Sequence, residues 1–241
     1  MDPSQDHPGH NRLLAAMLDE ESQRLLPGLT RLALASRHVL IELRERMEYV
    51  YFPLDGVLSL MMVMEDGTVV EVGTVGNEGF VEVSSLLSID QSPYEVLCQT
   101  DCIVLRLRVE DLRAAFRDSA PVRDLLLRYA GVVLGCTGRS AACKVVHTTE
   151  QRLALWLLMT RDRMDTDELP LTQELLASML AVRRATVSVA AGALQARGLI
   201  RYNRGRITII DRAGLEAAAC EDYTAFRNEY ERLLGPTWVR S

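Results

Sequence analysis

The stretch from Leu169 to Ile210, LPLTQELLASMLAVRRATVSVAAGALQARGLIRYNRGRITII, has little freedom in how it can fold. Thr172 precedes an apolar rhythm at Leu175, Leu176, Met179 and Leu180 that fits one short helix, with Thr172 as cap and Gln173 and Glu174 in its first turn. Ala181-Val182-Arg183 has room only for a turn, after which Arg184–Ala196 resumes the helical rhythm through Val187, Ala191 and Leu194. Ile200–Ile210 then alternates apolar Ile200, Tyr202, Ile207 and Ile209 with polar residues around Asn203-Arg204-Gly205, the pattern of a hairpin. Two short helices, a tight turn and a hairpin predict a winged helix-turn-helix.

Charge gives that unit a partner class. From Leu171 to Arg212 seven arginines face only Glu174 and Asp211, a local net charge of +5 in a chain whose overall charge is −6. The remainder is therefore acidic, and a basic module on an acidic body points to double-stranded DNA. Arg184, Ala185 and Ser188 point outward near the start of the second helix, where an arginine can grip guanine O6 and N7 with two hydrogen bonds. Arg183 and Thr186 are placed for phosphates, as are the amides following Thr172 and Gln173. Arg201, Arg204 and Arg206 would lie on the hairpin along the DNA backbone.

Upstream the character changes. Residues 11 to 27 carry an amphipathic helical pattern ended by Pro27, preceded by a polar stretch that predicts a disordered tail over 1–12. From about residue 30 to 108 short β-rich runs (Val39–Leu43, Tyr49–Phe52, Val57–Val63, Val69–Val75, Val96–Leu107) are broken by turn residues such as Asp55-Gly56, Asp66-Gly67 and Gly76-Asn77-Glu78-Gly79. Such spacing predicts a double-sheet jelly roll or small barrel. Val109–Phe116 reads as a short helix, and Asp118 or Ser119 caps a longer one with Pro121 in its first turn.

Along that helix Val122, Leu126, Tyr129, Val133, Cys136, Ser140, Cys143 and His147 recur at steps of four and three, a heptad seam. The expected partner is the same helix of a second copy, giving a homodimer; packing on the chain's own core is the competing reading. Thr148–Met164 and Gly214–Leu234 are further helices. The fold class expected is α+β: a tail (1–12), a β-roll sensory domain (13–118), a dimerisation helix (119–147) and a winged-helix DNA-binding domain (148–241).

On the strings LTQELLASMLAVRRATVSVAAGALQARGLI and FPLDGVLSL…GTVVEVGTVGNEGF, and on this order of units, the chain resembles the Crp/Fnr superfamily of bacterial transcription regulators over nearly its full length. The resemblance implies a cyclic-nucleotide-binding-like jelly roll, a homodimer reading a pseudo-palindromic operator, RNA polymerase as a further partner, and Arg184 in the base-reading position. Ala181 replaces a common turn glycine, and Val189 and Ala185 replace an arginine and a glutamate of the family's recognition helix, so the operator preference should differ.

The family's cyclic-nucleotide cassette uses a Gly-Glu pair followed about ten residues on by Arg-Ser. Here Phe80-Val81-Glu82-Val83-Ser84-Ser85 and Ser92-Pro93-Tyr94-Glu95 stand there, with no arginine from Leu54 to Ile103. A buried phosphate without a cation is costly, so cyclic nucleotides are disfavoured, with a cyclic-nucleotide-dependent regulator kept as an alternative; Thr137 is a candidate ligand contact, and the effector is left unassigned. No cofactor is expected: the N-terminal cysteine cluster of the oxygen-sensing members is missing, and His7, His10, His38 and His147 suggest no metal-ligand set. Cys136 and Cys143, on the seam, leave a redox-responsive regulator as an alternative. The β-rich region holds His38 alone, and no nucleophile–base pair or phosphate-binding glycine loop is evident, so an enzyme is not expected. The absence of an apolar run of membrane-spanning length and of a secretory signal, with an odd number of cysteines, suggests a cytoplasmic protein.

Overall fold

The computed structural model describes residues 8–17, 25, 27–164 and 166–235. The first layer is a β-roll of two antiparallel sheets. Strands β1 (Thr30–Leu34), β3 (Tyr49–Asp55) and β7 (Cys102–Arg108) form one sheet, in the order β1-β7-β3. Strands β2 (Val39–Ile41), β4 (Leu58–Val63), β5 (Val69–Val75) and β6 (Glu95–Cys98) form the other, ordered β2-β6-β4-β5. The predicted run Val96–Leu107 is two strands, because the turn at Gln99-Thr100-Asp101 carries the chain from one sheet to the other. Val96, Cys98, Cys102 and Val104 then meet Leu58, Val75 and Val81 between the sheets.

Helix α1 (Arg12–Met17) corrects the expectation of a tail through residue 12. Asn11 is fully buried; its side-chain carbonyl caps Leu14 N at 2.8 Å, while its amide donates to Pro53 O and Gly79 O at 2.9 and 2.7 Å. One polar side chain thus satisfies a helix start and two buried carbonyls, which ties this segment to the roll. Residues 1–7 lie outside the described residues, as does much of the predicted 11–27 helix.

Helix α2 (Val109–Asp118) leads into α3 (Ala120–Val146), whose start is set by Ser119 Oγ accepting from Val122 N and by Pro121 in the first turn. Helix α4 (Thr149–Met164) follows, then β8 (Glu168–Leu169), α5 (Gln173–Leu180), α6 (Arg184–Ala196), β9 (Ile200–Asn203) and β10 (Arg206–Ile209). The expected single C-terminal helix is two, α7 (Arg212–Ala218) and α8 (Asp222–Leu234), broken at Ala219-Cys220-Glu221. The break lets α8 turn back along α3, so that Tyr230 joins the β-roll core while Phe226 joins the core of the C-terminal unit.

Polar links from α3 and α4 hold the roll against that unit. Trp156 Nε1 on α4 donates to Glu71 Oε1 on β5 at 3.1 Å, and Lys144 Nζ bonds the Glu71 carbonyl. Arg163, at the end of α4, pairs with Glu78 in the Gly76–Gly79 turn at 2.6 Å with both side chains almost wholly buried, and also donates to Thr74 Oγ1 at 2.8 Å. Removing one partner strands the other charge out of water. Glu78→Gln is therefore expected to lower stability by about 3–5 kcal/mol, measured by urea unfolding; an effect below a quarter of that would deny the pair its role.

Candidate nucleic-acid interface and sensory core

Thr172 Oγ1 caps α5 by accepting from Leu175 N at 3.2 Å. Ala181 ends the helix in the left-handed region (φ 51), which explains the family's preference for glycine there; alanine accepts the strain in return for the tight turn. The axes of α5 and α6 differ by 102°. Leu176, Met179, Leu180, Val187, Ala190, Ala191 and Leu194 are buried between the helices and α4, and this leaves the leading end of α6 outward. Arg183, Arg184, Ala185, Thr186, Ser188 and Val189 are all exposed.

The hairpin forms as predicted, with Arg206 opposite Asn203 and Ile209 opposite Ile200. Arg204 (φ 47) and Gly205 (φ 76) both take left-handed conformations, the demand of a two-residue turn whose twist matches its strands. The two-residue strand β8, too short to leave a sequence signal, adds a third strand beside β10. Between the start of α5, the start of α6 and the wing tip lies an open groove of about 600 Å³, lined by Thr172, Gln173, Glu174, Arg184, Tyr202, Asn203, Arg204 and Gly205. Arg184 is held over it by Gln173 Oε1, which accepts from Nε at 3.0 Å, with Glu174 3.7 Å away. Arg201 and Arg204 are exposed on the wing, whereas Arg206 is engaged with Glu168 at 2.9 Å.

The predicted dimer seam is out of phase with the free face of α3. Val122, Leu126 and Tyr129 are buried in the chain's own core, and Cys143 is buried against Cys220. Val133, Cys136 and Ser140 are half-buried, facing a cavity. Those positions pack on the chain's own β-roll and C-terminal helices, so no second copy can reach the buried ones. The exposed face of α3 is another heptad stripe, Leu127, Gly131, Leu134, Gly138, Ala141 and Val145, with Leu134 75% and Val145 86% exposed. Both stripes have four–three spacing; the more continuously apolar one is consumed by the chain's own core.

Tyr129 explains the loyalty of that stripe to the roll. Its hydroxyl accepts from Phe80 N and donates to Phe80 O, each at 3.0 Å, and its ring lies 5.2 Å from that of Phe80. A Cβ on Gly79 would collide with the Tyr129 hydroxyl, so glycine is required for the approach. The cavity, of about 110 Å³, lies where β5, α3, α4, α5 and α8 meet; Thr137, Ser140, Lys144, Arg152 and Arg163 are among its lining residues. Its cations come from α3 and α4, which a search of the roll's own sequence for an arginine could not find. Thr137 lines the cavity, but its hydroxyl donates back to Val133 O at 2.8 Å.

In the cassette stretch Glu82 is buried with φ 77, and neither carboxylate oxygen has a well-formed hydrogen bond. The neighbouring Ser92 hydroxyl is committed to Tyr94 O at 2.8 Å. Among the described residues no helix is by itself long and apolar enough to cross a membrane.

A jelly roll feeding a long helix and a winged helix-turn-helix is the architecture of a class of DNA-binding transcription regulators. Residues 31–119 match the cyclic nucleotide-binding domain family and residues 151–218 the Crp-like helix-turn-helix domain family. The chain belongs to the Crp/Fnr family of DNA-binding transcription regulators. No curated protein matches it by sequence. A CRP/FNR-family regulator of Thermus thermophilus shares the fold at TM-score 0.64 and 20% identity, over 79% of this chain and 98% of its own. FixK2 of Bradyrhizobium japonicum does so at 0.63 and 18%, over 80% and 98%. The c-di-GMP-responsive regulator CLP of Xanthomonas campestris gives 0.61 and 18%, over 78% and 96%.

Burial raises the Glu82 carboxyl from its ordinary 4.5 to about 7, with Glu45 adding to the rise and Ser92 opposing it. A carboxyl raised on folding contributes stability that is full at acid pH and lost as pH climbs through its folded value. Glu82→Gln is therefore expected to raise the thermal midpoint more at pH 8 than at pH 5, in parallel melts followed by circular dichroism; equal shifts at both pH values would show the carboxyl to be ionised without cost.

Proposed function

We propose that the chain acts as a homodimer reading a pseudo-palindromic DNA site, with one groove-borne Arg184 entering the major groove in each half-site. The observation that carries this reading is the exposed leading end of α6 beside a wing that bears Arg201 and Arg204. Arg184 reads a guanine; Arg183, Thr186, Thr172 and Gln173 hold phosphates; Ser188 stands one turn behind, its hydroxyl donating to Arg184 O at 3.2 Å. Val189, 73% exposed beside Ala185, suits a thymine methyl, an apolar contact in place of the family's charged ones. Arg206 contributes less than its neighbours, because binding phosphate means leaving Glu168.

Dimerisation is proposed along Leu127, Gly131, Leu134, Gly138, Ala141 and Val145, where glycines with open space at their Cβ positions permit close backbone approach. The two α6 helices then face successive turns of one DNA face. RNA polymerase as a further partner is part of the same proposal, on the family resemblance alone.

The effector proposed is a small molecule other than a cyclic nucleotide, seated in the cavity between roll, α3 and α4. A buried Glu82 in the cassette supplies no positive charge to neutralise a cyclic phosphate. The expectation is no heat on calorimetric titration with cyclic AMP; micromolar binding would reverse this reading. The redox alternative through paired Cys136 or Cys143 of two copies lacks support, since both face into their own chain.

Arg184→Ala is expected to relax preference at one base pair per half-site and to cost about 1–3 kcal/mol of discrimination, whereas Arg204→Ala keeps preference and lowers the salt dependence of binding. Selection of bound genomic fragments followed by titration against the enriched site measures both; an unaltered preference in Arg184→Ala removes it from base reading. Leu134→Glu is expected to convert the dimer to a folded monomer in sedimentation, and a dimer that survives would place the interface elsewhere.

A further inference from the structure

The end of α3 and the break between α7 and α8 bring four ligating side chains to one point. Cys143 lies in the last turn of α3, and His147 is the residue that caps it, its N–H donating to Cys143 O at 3.0 Å. Cys220 and Asp222 flank the start of α8. Their ligand atoms all lie within 4.8 Å of one another, and Cys143, Cys220 and Asp222 are buried.

The separations have a specific meaning. Cys143 Sγ and Cys220 Sγ are 3.7 Å apart, Cys220 Sγ and Asp222 Oδ2 3.6 Å, and His147 Nε2 and Asp222 Oδ2 3.4 Å. A tetrahedral zinc ion with its usual bond lengths separates two sulfurs by about 3.8 Å, sulfur and oxygen by about 3.6 Å, and nitrogen and oxygen by about 3.4 Å. Three edges of the cluster are thus those of a zinc tetrahedron. Two thiols in contact without a disulfide gain little from each other, and the separation here is too long for that bond.

The surroundings complete a site. Arg139 Nη1 donates to Asp222 Oδ1 at 2.7 Å, which fixes the carboxylate and leaves Oδ2 turned toward Cys220 and His147. Two thiolates and one carboxylate around a dication leave one negative charge, which Arg139 offsets. Glu221 Oε1 lies 3.5 Å from His147 Nε2 at the solvent edge, where the imidazole is 12% exposed and offers a way in. Every ligand comes from one chain.

We propose that Cys143, His147, Cys220 and Asp222 bind one divalent cation of the zinc class, tying the end of α3 to the C-terminal helices that pack on the DNA-reading unit. On binding, the two thiols release their protons to solvent as two sulfur–metal bonds form, with no change of oxidation state. Cys143 also borders the effector cavity, but His147, Cys220 and Asp222 line neither that cavity nor the DNA-reading groove, so failure of the metal site would leave the proposed function standing.

The test is titration of the reduced, chelator-stripped full-length protein with Co²⁺, followed by Zn²⁺. The expected result is the visible absorption of tetrahedral cobalt–thiolate, saturating at one ion per chain and abolished by zinc. Cys220→Ser and His147→Gln lose that absorption, while Cys136→Ser, outside the cluster, retains it in full. Absence of cobalt–thiolate absorption in the unaltered protein overturns the proposal, as does undiminished uptake in Cys220→Ser. A Cys143–Cys220 disulfide in freshly isolated protein, with no cobalt uptake after reduction, overturns it in favour of a thiol pair.

Discussion

The buried ion pair between Arg163 and Glu78 is the constraint on which the arrangement of the molecule depends. Glu78 belongs to a turn of the β-roll and Arg163 to the last turn of α4, the helix that supports the DNA-reading unit. Neither charge can be left without the other in a site closed to water. The requirement spreads outward: Gly76 must lack a side chain to admit Arg163, Gly79 to admit Tyr129, and Asn11 closes the same turn by bonding Gly79 O. The short segment from Gly76 to Glu82 thereby anchors elements from both ends of the chain.

This anchoring gives α3 two faces with different owners. One face is consumed by Tyr129, Leu126 and Val122 in the roll's core and by Cys143 in the C-terminal core. The opposite face, with Leu127, Leu134 and Val145, is left to solvent in a single chain. Heptad spacing is present in both stripes, and spacing carries no information about which side a neighbouring layer occupies. The choice needs the position of α8, which reaches α3 only because the C-terminal helix breaks at Cys220.

The α5–α6 pair and the wing are legible residue by residue, since their signals are local: a threonine cap, a short turn, helical rhythm, and an Arg-Gly pair between alternating strands. The outward direction of Arg184 follows from the same rhythm. The cavity's cations are not legible, because Lys144, Arg152 and Arg163 come from helices remote in sequence from the strands they face. The Cys143–His147–Cys220–Asp222 cluster escapes sequence reasoning for a related reason: its halves lie over seventy residues apart, and heptad spacing assigns Cys143 to the dimer seam.

By itself, then, the sequence determined the order of units, the class of each and the exposure of the leading end of α6, because periodicity, capping and turn chemistry act over a few residues. The tertiary structure decided which stripe of α3 remains free, which cations face the roll, and how four ligating side chains converge. Those outcomes depend on long-range packing and on the pairing of buried charges, whose partners are chosen by distance in space and leave no mark in local sequence spacing.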